Sequence, residues 1–231
     1  MLPPLVLGYH AVSATSAWAF SVTPEQLERQ VRSLLGRGLR AVTFADLCRS
    51  GARDAFAVTF DDGYRSVREL AAPVLARLGV PSTVFAVPAY ADAGAVADAP
   101  AGEGAALSWD ELRDLAAAEW EIGSHTLTHP VLTELDDASL AEELRGSKER
   151  LERELGRPCD TVAYPYGAHD ARVVAAAAAA GYGWACVFPP TYAARGPHAV
   201  PRVGVLRRDG RVRFALKTTP LVRRALARRR R

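Results

Sequence analysis

Ala55-Phe56-Ala57-Val58-Thr59-Phe60-Asp61-Asp62-Gly63 is an apolar run that ends abruptly in two carboxylates and a glycine. It is short, apolar and bounded by turn formers, which predicts a buried strand. Two adjacent carboxylates at the end of such a strand are costly unless a metal ion, a cationic partner or water compensates for their charge. Asp-Gly is also an ordinary turn dipeptide. The stretch alone therefore leaves a simple turn and a functional strand end both open, and the partners must be sought elsewhere in the chain.

Outward from this stretch, strands and helices alternate. Residues 5–10 read as a first strand ending in Tyr9-His10. Thr23 and Pro24 then open a helix with Leu27, Val31, Leu34 and Leu35 on one face, and residues 40–44 form a short strand. Residues 65–78 read as a helix punctuated by Pro73, 82–87 as a strand, and 88–106 as a long mobile loop without periodicity. Ser108 and Glu111 resemble a capping box. A strand over 119–123 leads into Ser124-His125-Thr126-Leu127-Thr128-His129-Pro130. A helix over 138–155, a strand running into Pro165-Tyr166-Gly167, an Ala-rich helix over 171–180, strands over 184–188 and 200–206, and a basic helix over 213–228 complete the chain.

Such alternation predicts an α/β fold with parallel strands, as a barrel or a doubly wound sheet. Polar clusters follow four different strands, at His10, Asp61-Asp62, His125 and Tyr166. A barrel brings all of its strand C-termini to one rim, whereas an open sheet gathers function at a single switch point, so the pattern favours the barrel.

The 231 residues suit one domain with a sizeable core. The net charge of +3 hides an asymmetry: from residue 193 onward there are 13 Arg or Lys against Asp209 alone, which leaves 16 against 25 before it. The body is thus acidic (−9) and the end basic (+12). No apolar run approaches the roughly 20 residues that span a bilayer, and the N-terminus lacks the features of a signal peptide. A cytoplasmic location is the expectation; the terminal arginines read first as a frayed, solvated tail and second as a contact to an anionic membrane surface or polyanion. Cys48, Cys159 and Cys186 are scattered and odd in number, which suits reduced thiols better than disulfides or a zinc knuckle.

His125 and His129 lie four apart, and Pro130 disfavours helix at His129, so a tight turn is expected to point both rings at one ion. With a strand-end Asp they make a 2-His-1-carboxylate set, which Zn²⁺ accepts with a position to spare. Neighbouring side chains near a strand end point apart, so one aspartate can ligate while the other faces the attacking water as a base. The residues themselves lead to metal-assisted hydrolysis of an amide or ester.

Thr59-Phe60-Asp61-Asp62-Gly63, then Ser124-His125-Thr126-Leu127-Thr128-His129, then Tyr164-Pro165-Tyr166-Gly167 resemble, in order and spacing, the NodB-homology polysaccharide deacetylases of carbohydrate esterase family 4. The resemblance spans roughly residues 5–206. It implies a distorted (β/α) barrel, usually of seven strands, in a single catalytic domain over 1–212, followed by a basic tail over 213–231. It also implies a divalent metal, commonly zinc, held by Asp62, His125 and His129, with Asp61 as general base. Tyr166 would give its backbone N–H to the oxyanion, and Tyr166, Pro165 and Tyr64 would border the sugar. The implied reaction removes the acetyl group of an N-acetylated carbohydrate.

Two departures stand out. Ala163 occupies the position where much of the family has an arginine that holds the catalytic aspartate, and Arg202 is the candidate to supply that guanidinium. The family's last motif brings a histidine as general acid, and residues 200–206 contain none; His10 is the first substitute and His169 the second. A catalytically impaired carbohydrate-binding domain is therefore the competing expectation. Nucleic-acid binding by the tail lacks aromatic interleaving or a known module and is not expected.

Overall fold

The computed structural model describes residues 3–97, 99–188 and 196–222. The strands Leu5–Tyr9, Ala55–Phe60, Thr83–Ala86, Glu121–Ser124, Thr161–Ala163 and Trp184–Val187 pair in parallel with their neighbours around a barrel. The ring is closed by residues 200–204. Val200 and Pro201 pair with Cys186 and Val187, while Val203 and Gly204 pair with Leu7 and Gly8. Arg202 is the break between these halves, so the ring has eight strands when they are counted apart, against the seven expected, and seven staves when 200–204 is taken as one. Arg40–Ala41 pairs with the start of Ala55–Phe60, outside this ring.

Strand alternation sorts the side chains into two cores. Leu5, Leu7, Tyr9, Phe56, Val58 and Phe60 face the helices. Val6, Ala57, Phe85, Ala163, Cys186 and Val200 face inward, where Phe44 and Leu47 join them. Small inward residues leave room for rings and for the side chain of Arg202, which is fully buried. Gly8 and Gly204 show the constraint: a Cβ at either would stand 2.7 or 2.6 Å from the ring of Phe188.

The helices start where the sequence places caps. Thr23 accepts from Gln26 N ahead of Pro24–Leu35, Ser108 and Glu111 complete a capping box, and Asp136 caps Asp137–Leu155. Three segments differ from the sequence reading. Residues 65–78 are not one regular helix: a π-helical turn over Val67–Ala71 precedes a helix over Ala72–Arg77. This widening absorbs the missing N–H of Pro73 and the clash its ring would make with the turn before it. Part of the loop expected over 88–106 is ordered: Pro88–Ala93 is a short helix ended by Gly94, and the rest is pinned by bridges from Tyr64 to Ala106 and Ala95 to Ala105. Fewer than two turns leave no visible period. Of the helix expected over 213–228, the described part is Arg211–Thr218, which buries Phe214 and Thr218, then a break at Thr219 and helical residues again at 220–222. Residues 223–231, with the terminal arginines, lie outside the described residues. No helix among those described is long and apolar enough to cross a membrane.

The three cysteines are free. Burial pushes the thiols of Cys48 and Cys159 up to about 12, with the Glu121 carboxylate adding to it at Cys48. Inert thiols are the consequence.

Candidate active site

The strand C-termini converge on a cleft of about 370 Å³ lined by His10, Asp61, Asp62, His125 and His129, with rings from Trp18, Phe20, Tyr64, Tyr90, Tyr164, Tyr166 and Phe188. Asp61 and Asp62 follow the last residue of Ala55–Phe60 and diverge because Asp62 takes a left-handed backbone (φ 68°) before Gly63.

Asp62 lies among histidines. Its Oδ1 is 3.4 Å from His125 Nε2 and 3.3 Å from His129 Nε2, and one donor atom from each residue falls within 4.8 Å of the others. Two ligands each about 2.1 Å from a tetrahedral ion are about 3.4 Å apart, so the spacing fits a shared ion. His125 Nδ1 lies 2.7 Å from the Ala163 carbonyl. Donation to that carbonyl orients the ring with Nε2 toward Asp62, where it carries a proton to the carboxylate and would give up that proton to ligate an ion. Burial pushes the Asp62 carboxyl up, but hydrogen bonds from His125 and His129 outweigh it and hold the group well below the usual range. For His125 burial favours the neutral ring, while Asp61 and Asp62 prevail and raise its pKa. The donor set fits a divalent ion.

Asp61 has a different partner. Arg202 forks onto it, Nη1 to Oδ1 at 2.6 Å and Nη2 to Oδ2 at 2.7 Å, and Nη1 also reaches Thr59 Oγ1 at 3.0 Å. Both residues are buried, and the Phe188 ring covers the guanidinium at 4.9 Å. Burial opposes ionisation of Asp61, yet Arg202 and His125 win and keep its pKa below the ordinary carboxylate value. His10 Nε2 stands 3.9 Å from Asp61 Oδ2. Burial depresses the His10 pKa more than the two aspartates raise it. Its ring is walled by Phe20 and Phe188 at 4.9 and 5.3 Å.

Tyr166 sits at φ 59°, ψ 2° in the turn that Pro165 opens, 64 % exposed, with its ring 4.8 Å from that of His129. Tyr64 is buried in the cleft wall. Pro165 is buried and does not line the cleft; its role is to set the backbone that presents Tyr166. His169 is also outside the lining, stacked on Tyr164 with Nδ1 at the Gly167 carbonyl.

Two features escaped the sequence reading. Glu143, within the helix Asp137–Leu155, accepts from the backbone N–H of Leu127 (2.8 Å) and Thr128 (2.9 Å) and from Thr128 Oγ1. It thereby holds the loop between the two histidines, and a glutamate on a helix gives no signal of this. Of the five non-glycine residues with positive φ among those described, four belong to the site: Asp62, Thr126, His129 and Tyr166. Such conformations cost on the order of 1–3 kcal/mol each and persist where the surroundings over-determine them.

A family model described as "Polysaccharide deacetylase" matches residues 49–185. YxkH of Bacillus subtilis (strain 168), a polysaccharide deacetylase by name, is 24 % identical over 208 residues, covering 87 % of this chain and 70 % of its own. The crystal structure of BC0361, a polysaccharide deacetylase from Bacillus cereus, superposes with a TM-score of 0.77 at 27 % identity, over 94 % of this chain and 69 % of that one. The Streptococcus pyogenes deacetylase PplD, solved with acetate, shares the fold with a TM-score of 0.82 at 20 % identity, over 94 % and 99 % of the two chains.

Proposed function

The chain belongs to the polysaccharide deacetylase family, and on that premise we propose that it is a metal-dependent hydrolase that removes N-acetyl groups from a sugar in a glycan or glycoconjugate. The observation that carries the reading is an aspartate, Asp61, clamped by two hydrogen bonds from Arg202 in the same cleft as the Asp62–His125–His129 cluster. Binding a sugar requires no second carboxylate beside a metal cluster, so the arrangement favours turnover over a binding-only domain.

Asp62, His125 and His129 would hold the ion, with Zn²⁺ the best match to two imidazoles and a carboxylate. A divalent ion there supplies Lewis acidity, polarising the amide carbonyl and easing deprotonation of the attacking water. The protein's own residues do the rest. Asp61, oriented by Arg202 through two hydrogen bonds, takes the proton from the attacking water. The Tyr166 backbone N–H donates to the oxygen on which negative charge develops. His10, close to Asp61 and disinclined to hold a proton, passes that proton to the departing nitrogen, so that water and amide leave as acetate and amine. Tyr166 and Trp18 offer ring faces to the sugar, and Tyr64, buried in the cleft wall, backs Trp18.

Acetate release from a panel of N-acetylhexosamine conjugates tests this, comparing wild type, D61N and a chelated sample. Release is expected from wild type alone. No release from any conjugate would favour the binding-only domain, and release indifferent to D61N and chelation would overturn the mechanism. H10A with full turnover and an unchanged pH profile would remove His10 from the proton path.

A further inference from the structure

A second cavity, of about 650 Å³, opens on the outside of the barrel between the helices Pro24–Leu35 and Arg211–Thr218. Its lining includes Arg29, Arg32, Arg207 and Arg211, with Gln26, Gln30 and Asp209 between them. Gln26 Nε2 donates to the carbonyls of Leu206, Arg207 and Asp209, and Gln30 Nε2 also donates to Asp209. Asp209 is buried and committed to Arg213, Lys217 and the N–H of Leu206. Arg32 is paired with Glu28. Arg29, Arg207, Arg208 and Arg211 have no carboxylate within ion-pairing distance among the described residues.

The same helix carries an independent feature. Phe214 and Thr218 turn into the core, which sends Val212 and Leu216 outward, 75 % and 54 % exposed. Leu221, just beyond, is 79 % exposed. Three of the five exposed large apolar residues among those described therefore fall within residues 212–221, a stretch that also carries Arg213 and Lys217.

We propose that this edge docks the protein on an anionic lipid bilayer, with lipid phosphate entering the arginine groove and Val212, Leu216 and Leu221 immersed at the headgroup level. Apolar residues beside a basic cluster are the makeup of an interfacial helix, where burial of apolar area adds to attraction for anionic lipid. Nucleic acid would use the arginines but gives no place to the exposed aliphatic side chains. The chain's own C-terminus is no rival for the groove, because residues 223–231 add six arginines and no acid. Arg207 N also bonds to Ala19 O, in the loop that carries Trp18 and Phe20 of the cleft, so a docked edge would bring the cleft wall to the membrane surface.

Co-sedimentation of the full chain with vesicles tests this without reference to catalysis. Binding is expected to vesicles of phosphatidylcholine with phosphatidylglycerol and not to phosphatidylcholine alone. Each arginine removed should weaken it about fivefold, so R29Q/R207Q/R211Q should lose roughly a hundredfold. V212S/L216S, altered only at exposed positions, should keep the wild-type melting temperature and bind these vesicles more weakly. Equal binding to both vesicle types, or wild-type binding by either variant, would overturn the proposal. So would duplex DNA binding as tight as vesicle binding and indifferent to V212S/L216S.

Discussion

Asp61 is buried, and Arg202 forks onto both of its carboxylate oxygens. Removing Arg202 leaves that charge uncompensated, a loss of about 3–5 kcal/mol for a buried pair. Arg202→Met should show this in chemical denaturation at neutral pH. The double variant with Asp61→Asn should lose less than the sum of the two singles, as a double-mutant cycle will reveal. A loss within about 0.5 kcal/mol would mean the fork does not hold the base. The pH dependence follows from the sign of the shift. Asp61 has a folded pKa below the unfolded value of about 3.9, so its contribution is complete above about pH 5 and lost progressively as pH falls through the unfolded and then the folded value. D61N should therefore flatten the acid limb of the stability profile. Arg202 was legible in the sequence as an arginine near the barrel's closing strand. The left-handed backbones of Asp62, Thr126, His129 and Tyr166 were not, because none of these residue types announces a positive φ as glycine does.

At the scale of elements, the bend from His125 to His129 has no regular secondary structure of its own, and the helix Asp137–Leu155 supplies its order through Glu143. Partners that orient metal-binding side chains are worth about 10- to 100-fold in metal affinity. Glu143→Ala should weaken Zn²⁺ binding by that amount in a competition titration, with the metal-free fold retained; unchanged affinity would make Glu143 merely structural. Parallel alternation made the barrel readable, since each strand and helix carries its own period and caps. The contribution of Glu143 stayed hidden because it is a contact between elements 15 residues apart, and no local pattern encodes it. The π-helical turn at Val67–Ala71 was hidden likewise: Pro73 signals a disturbance, but the surrounding packing decides its form.

For the whole molecule, a ligand that binds only the native state adds stability by mass action. An ion at 100 times its dissociation constant contributes about 2.7 kcal/mol, which for a chain of this size is a rise in Tm of roughly 5–10 °C. Scanning calorimetry with and without Zn²⁺ should show that rise in wild type and not in Asp62→Asn; equal shifts in both would place the ion elsewhere. The barrel also sets the order of assembly. Asp61 lies on the second stave of the ring and Arg202 on the last, 141 positions later in the chain. During synthesis Asp61 is made early and waits, without its guanidinium, until residue 202 has emerged. Ring closure and completion of the Asp61–Arg202 pair are then one late, non-local event, the kind of contact that slows folding. A nascent or truncated chain lacking residues 200–204 would carry the Asp62, His125 and His129 cluster beside an Asp61 without its guanidinium, so under the proposed function acetate release would itself report that the last stave has docked.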